Sequence, residues 1–263
     1  MIPHFATTLL LAFIQSATEF LPVSSSAHLI LSQSLGFTDQ GIFTDIALHA
    51  GTLIAIIIYF WQDILRMCSG FFEKEGYNRR LLFNVLVATI PVVVGGILGL
   101  EVITRLRAPV IIAGTSIIFG ALLWVADRMT LVETDLRAMT AWDALCIGLA
   151  QLLALVPGVS RSGIVITCCR ALGYTRREST KFAMLLAVPT ISAAAVYVVF
   201  QTARYRIWDQ VFTLEMLLGT LLSALFGWIV IRFLMHWVRR ASFAIFSIYR
   251  IALGLFVIWY FFF

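Results

Sequence analysis

Long apolar runs separated by short polar segments dominate the chain, and most runs have the length one helix needs to cross about 30 Å of hydrocarbon. Six spans are predicted, at about 44–61, 82–100, 109–126, 182–201, 212–234 and 243–263. Nothing in the sequence shows the alternation over about ten residues that marks a membrane barrel. The expected fold class is therefore an all-α integral membrane protein. Two further runs, about 5–34 and 141–170, are broken at their middles by "EFLPVSSSAH" and "LVPGVSRSG". Each is too interrupted for one straight helix and too short for two spans, so each predicts a re-entrant helical hairpin. The polar stretch from Gln62 to Arg80 reads as a loop, too poor in apolar residues to build a second domain.

The two broken runs resemble each other. A shift of 136 sets Gln15 on Gln151, Val23 on Val159, Ser24 on Ser160, Ser26 on Ser162 and Ala27 on Gly163, without a gap. "LGFT" (35–38) then answers "LGYT" (172–175) with the shift changed by one. The chain thus reads as one membrane domain over 1–263, made of a repeat at about 1–130 and another at about 137–263, each a hairpin followed by three spans. Three is odd, so the second repeat enters the bilayer inverted relative to the first. The Ser-rich tips of the two hairpins should then approach each other near mid-membrane.

Composition narrows the class. Of 263 residues, 61% are hydrophobic and 13% charged, and the mean hydropathy is +0.96, values outside the range of a soluble domain. The net charge of +5 does not point to nucleic acid, because the basic residues are scattered over segments beside apolar spans. Thirteen of them, from Arg66, Lys74, Arg79 and Arg80 to Arg239 and Arg240, fall on one side of the predicted topology, against Arg105, Arg107, Arg204 and Arg206 on the other. The positive-inside rule makes the richer side cytoplasmic and puts both termini outside. The opening "MIPHFATTLLLAF" lacks a basic leader region and reads as mature structure. Cys68, Cys146, Cys168 and Cys169 have neither disulfide-framework nor zinc spacing and read as apolar fillers.

The chemistry concentrates at the broken tips. An ionisable group at the centre of a membrane helix costs roughly 2.5–3.5 kcal/mol on insertion scales, so Glu19, His28 and Arg161 should be clustered and paired. Ser24, Ser25, Ser26 and His28 follow Pro22, and Ser160, Arg161 and Ser162 follow Pro157 and Gly158. Both sets stand in the first turn of a helix, where backbone N–H groups favour an anion. Two such termini, with hydroxyls and a guanidinium between them, suit phosphate. Glu19 adds a hard oxygen ligand for Mg²⁺ or Ca²⁺. Ser25 and His28, at i and i+3, share a helix face as a nucleophile and its base would; a phosphorylated His28 with Ser25 as donor is the competing assignment. Ser24 and Ser26 read equally as helix caps, and Arg161 as an ion-pair partner of Glu19. Asp45 and His49, one turn apart, read either as supports of the site or as interfacial anchors. Arg250 reads as a snorkelling side chain.

"QSATEFLPVSSSAH" and "PGVSRSG" resemble the two signature motifs of the undecaprenyl-diphosphate phosphatase, or bacitracin-resistance, family, and the likeness extends through "DIALHAGT" (45–52) and "FAIFSIYRIALG" (243–254). Gln15 stands where that family often has a first Glu, Ala27 where it commonly has Gly, and Val165 where its second motif often ends in Thr. The resemblance implies hydrolysis of a C55 isoprenoid diphosphate to the monophosphate carrier of cell-wall synthesis, in the bacterial cytoplasmic membrane with the site open to the outer face. For that reaction the residues read above are assigned as follows: Glu19, Ser25 and His28 to catalysis, Ser24, Ser26, Gly158, Ser160, Arg161 and Ser162 to substrate binding, and Glu19 and Gln15 to a divalent cation. A polyprenyl-phosphate transporter is the rival from another class, since inverted repeats with broken helices also build transporters. The oligomeric state leaves no signal in the sequence.

Overall fold

The computed structural model describes residues 4–25, 27–28, 41–99, 106, 108–130, 133–205 and 213–262. Ten α-helices fall within them: α1 (His4–Phe20), α2 (Gly41–Tyr59), α3 (Trp61–Ser69), α4 (Tyr77–Leu98), α5 (Pro109–Met129), α6 (Ala141–Leu152), α7 (Arg161–Ala171), α8 (Arg176–Tyr205), α9 (Leu214–Trp237) and α10 (Ala244–Phe262). The described residues form no strand beyond a single bridge between Thr134 and Tyr174. Local signals set the boundaries. Pro109 opens α5, Thr140 and Asp143 cap α6 reciprocally, and the Thr213 hydroxyl caps α9.

By length and hydropathy α4, α5, α8, α9 and α10 can each cross a membrane, and α2 with α3 makes a sixth candidate bent by 78°. That bend corrects one expectation. The stretch from Gln62 to Arg80 is not a loop throughout, because α3 occupies Trp61–Ser69. Its pattern is amphipathic: Ile64 and Met67 pack against the core while Gln62 and Arg66 stay exposed. Lys181 Nζ donates to Asp63 Oδ1 at 2.6 Å and ties α3 to α8.

Helix α8 runs through the core, with Phe182 through Ala187 fully buried, and it touches α2, α4 and α7. Around it α2 packs on α9, α5 on α10, α4 on α6 and α1 on α9. The α5–α10 crossing is reciprocal. A Cβ on Gly120 would meet Ser247 O at 3.2 Å and Ile251 at 3.3 Å, while one on Gly254 would meet Ala113 O at 2.7 Å and Ile117 at 2.6 Å. Ala113, Ile117 and Gly120 stand 134 positions before Ser247, Ile251 and Gly254, so the two helices present the same face to each other. Glycine at both centres permits this approach, and close van der Waals packing is what joins helices where lipid removes the hydrophobic drive.

Polar groups tie one end of the bundle. Asp127 Oδ1 accepts from Arg170 Nε at 3.0 Å and Arg176 Nε at 2.7 Å, and Oδ2 accepts from the Phe243 N–H at 3.1 Å. One buried carboxylate thereby joins α5, α7, α8 and the start of α10.

Candidate active site

Helix α1 stops at Phe20 because Pro22 can neither donate a backbone hydrogen bond nor continue the helix. Val23 N–H closes a tight turn on Leu21 O at 2.6 Å, and helical backbone resumes at Ser25. In the second hairpin α6 tightens into a 3-10 turn over Leu153–Leu155, and Gly158, at φ 95°, reverses the chain. Ser160 then caps α7, its Oγ accepting from the Gly163 N–H at 3.2 Å. Among the described residues Ser160 is the only non-glycine with positive φ, at 69°. Strained backbone of that kind persists where its surroundings over-determine it, commonly at functional sites.

The two tips meet. Arg161 Nη2 donates to Glu19 Oε1 at 2.8 Å, and Ser162 Oγ donates to Leu21 O at 3.1 Å. Between them lies a cell of about 110 Å³ lined by Thr18, Glu19, Ser24, Ser25, Gly158, Ser160 and Arg161, with Ala154 and Val156. Six of the residues singled out in the sequence therefore share one small polar space. Ser162 stands outside the cell and braces one tip on the other. Ser26 and the "LGFT" segment lie outside the described residues, as does the side chain of Asp45. Gln15 is buried behind Glu19, its Nε2 3.4 Å from Glu19 Oε2 and 3.1 Å from His49 Nε2. His49 Nε2 is 3.8 Å from the same carboxylate oxygen. His49 thus belongs to the Glu19 cluster, one of the two readings the sequence left open.

His28 faces elsewhere. Its Nδ1 is 2.6 Å from Ser24 O, which can only accept, so Nδ1 carries a proton, and Nε2 lies 2.5 Å from Tyr249 OH. The two rings stack with centroids 5.7 Å apart. His28 lines an apolar cavity of about 350 Å³ with Phe13, Leu21, Phe233, Trp237 and Tyr249. Thr167 is not part of the site either, since its Oγ1 donates along the helix to Gly163 O at 2.7 Å.

A second apolar cavity, of about 400 Å³, is lined by Ile46, Val92, Leu155 and Ile191 and shares Glu19, Ala154 and Arg161 with the polar cell. Head and chamber together fit an amphiphile, the anionic end among hydroxyls and guanidinium and the hydrocarbon beside it. For a divalent cation, no three His, Cys, Asp or Glu side chains converge among the described residues. Glu19 Oε2 with the Gln15 amide does fit an ion such as Mg²⁺, which takes one or two protein oxygens and completes its shell with water and substrate phosphate. Turning the amide over places its oxygen beside Oε2.

Arg250 corrects another expectation. It does not snorkel to the interface but is fully buried, with Nη2 donating to Gly158 O at 3.0 Å and Val159 O at 2.7 Å. No sequence spacing marks this contact, because both partners are backbone carbonyls about ninety positions away. Tyr249, the partner of His28, was likewise not singled out.

A family model described as Bacitracin resistance protein BacA matches residues 8–256. A protein of Alcanivorax borkumensis named undecaprenyl-diphosphatase is 42% identical over 256 residues, covering 94% of this chain and 95% of that relative. Proteins of the same name from Desulforudis audaxviator and Saccharophagus degradans are 43% and 41% identical over 253 and 250 residues, covering 95% of both chains and 93% of both chains. With nearly its whole length matched, and with both motifs on the walls of one polar cell, the chain belongs to the bacitracin resistance protein BacA family.

Proposed function

We infer that the chain is an undecaprenyl-diphosphatase, a hydrolase that converts undecaprenyl diphosphate to undecaprenyl phosphate and inorganic phosphate. The observation that carries this reading is the polar cell in which Glu19, at the C-terminal end of α1, meets Ser25, Ser160 and Arg161 at the starts of helical segments, walled in common with an apolar chamber. Its product is the lipid carrier of cell-wall synthesis, and faster recycling of that carrier accounts for bacitracin resistance.

In the proposed mechanism the diphosphate enters the cell and the prenyl chain lies in the chamber of Ile46, Val92 and Ile191. Arg161, Ser160, Ser24, Ser26 and the N–H groups after Gly158 bind phosphate oxygens, and Ser162 keeps the tips in register. Ser25 Oγ attacks the terminal phosphorus, the bond from phosphorus to the bridging oxygen breaks, and undecaprenyl phosphate leaves. His28 takes the Ser25 proton, passes it to the departing undecaprenyl phosphate, and, neutral again, activates the water that frees phosphate from Ser25. That role requires His28 Nε2 to exchange Tyr249 OH for Ser25, a tightening on substrate binding that catalytic hydrogen bonds commonly show. Glu19 and Gln15 would hold a divalent cation, whose chemistry is to offset charge on the diphosphate.

The finer topology is part of the same reading: six spans, with α1 and α6–α7 in re-entrant hairpins of opposite direction. The reciprocal α5–α10 crossing and the matched pairs α1 on α9 and α4 on α6 support an inverted repeat. The same reading places the site in the bacterial cytoplasmic membrane opening outward, as the family resemblance implies, and the distribution of basic residues supports that orientation. Purified protein in detergent with farnesyl diphosphate and Mg²⁺ should release phosphate, and Ser25→Ala should remove almost all turnover. Tight binding without hydrolysis would establish the transporter instead, and phosphate trapped on His28 in an acid quench would move the nucleophile there.

A further inference from the structure

The cation nearest the phosphate-facing turn from behind is Arg250. It is fully buried, and among the described residues its Nε and Nη1 have no hydrogen-bond partner and it forms no ion pair. An uncompensated guanidinium is costly in a low-dielectric interior, and truncation would remove that cost, so stability does not explain it. The neighbourhood is nevertheless shaped to admit it. A Cβ on Gly120 would lie 3.0 Å from Arg250 Cβ, and one on Gly163 only 2.7 Å from Arg250 Nη1.

What Arg250 grips is the turn that aims α7 at the cell. Thr115 Oγ1 donates to Pro157 O at 2.8 Å, and Arg250 holds the next two carbonyls, Gly158 and Val159. Three consecutive carbonyls are thereby drawn toward α5 and α10. Across a trans peptide the N–H points opposite to the C=O, so the Ser160 N–H is turned away from Arg250. The strained φ of Ser160 is held from behind by these contacts.

Pseudo-symmetry isolates the residue further. The 134-position correspondence of α5 and α10 sets Thr115 and Ser116 on Tyr249 and Arg250. Thr115 holds the second tip and Tyr249 holds the first through His28, as the symmetry requires. Ser116 Oγ is buried without a partner, whereas Arg250 reaches across to the second tip. Charge breaks the same way. Glu19 offsets Arg161, so the facing pair is neutral, and Arg250, hydrogen-bonded to a residue of the cell wall, leaves the site net positive toward an anion.

We propose that Arg250 is a positioning residue of the phosphate site, fixing the Gly158 and Val159 peptides so that Ser160 and Arg161 face the phosphate, and lending the site its net charge through those peptides. The role rests on the phosphatase reading but is separable from it. Arg250→Lys keeps charge and donors, Arg250→Gln keeps a donor alone, and Arg250→Met keeps neither. Each is compared with the unsubstituted protein in detergent for phosphate release from farnesyl diphosphate and for thermal unfolding with and without that ligand. Turnover per folded enzyme should fall about 10-fold in Arg250→Lys, about 10²-fold in Arg250→Gln and further in Arg250→Met, with KM rising less than kcat falls. Stabilisation by farnesyl diphosphate should decline in the same order, a readout that survives even where the chain binds without hydrolysing. Gly163→Ala presses on the same guanidinium and should lose activity that Arg250→Lys, lacking Nη1, partly restores. Turnover and ligand stabilisation within threefold of the unsubstituted protein in Arg250→Lys and Arg250→Gln would overturn the proposal. So would activity lost only in proportion to folded protein.

Discussion

Two carboxylates in this molecule meet arginine, and they meet it differently. Asp127 is well bonded on both oxygens: one takes Arg170 and Arg176, the other takes a backbone N–H, and Arg170 also donates to Tyr174 O and Asp127 O. Glu19 takes one good bond from Arg161 on Oε1, while among the described residues Oε2 has only the Gln15 amide at 3.4 Å and His49 at 3.8 Å. Arg161 is similarly under-used, its Nη1 reaching Ala183 O only at 3.5 Å. Asp127 and Arg170 are buried and Glu19 and Arg161 nearly so, and burial alone does not separate structure from chemistry. Spare hydrogen-bonding capacity beside an empty space does, because a ligand can be bound there without first breaking what holds the fold.

The sharpest way to break that contrast is substitution at both clusters. Glu19→Gln and Arg161→Lys should each lower kcat/KM by about 10³-fold while the unfolding midpoint moves little, since lysine cannot reproduce a forked contact. Asp127→Asn should do the reverse, destabilising by about 3–5 kcal/mol through uncompensated arginines while turnover per folded molecule persists. Phosphate release and thermal unfolding on the same samples decide it; matched behaviour of the two clusters would erase the distinction. A chelator tests Glu19 alone: turnover should drop about 10²-fold in the unsubstituted protein and in Asp127→Asn, and the residual rate of Glu19→Gln should not respond. A smaller effect is expected at Tyr249→Phe, which keeps the stack on His28 and loses one hydrogen bond; a change of about threefold to tenfold in kcat is the measurable outcome. Smallest for activity is Gly254→Ala. It should lower the unfolding midpoint by wedging α10 from α5 and leave kcat per folded enzyme near its starting value.

The helix breaks at the two tips were legible because Pro22, Pro157 and Gly158 interrupt apolar runs, and the pairing of the charged tips because an unpaired charge in hydrocarbon demands a partner. Helix α3 was missed because nine amphipathic residues beside a span read as polar loop until a neighbouring surface takes their apolar side. Arg250 and Asp127 were missed for a different reason. Backbone carbonyls and a backbone N–H have no letter in the sequence, and the residues that supply them come from distant segments. The repeat proposed from the shift of 136 in the broken runs would run at 134 in α5 and α10, where only Ile117 and Gly120 match Ile251 and Gly254 among the facing positions. The reciprocal packing of α5 and α10 supports that reading where letters do not.

The polar cell is small. At about 110 Å³ it falls below the roughly 150 Å³ cavity that accommodates benzene. A terminal phosphoryl group is of that order, but the same group carrying a further substituent is not. With the reacting phosphate held in this cell, as proposed, the bare end of a prenyl diphosphate should be accepted more readily than a lipid whose outer phosphate is already esterified. Discharged carriers would be recycled, and loaded ones would pass untouched. A diphosphate blocked at its end should neither turn over nor compete with farnesyl diphosphate.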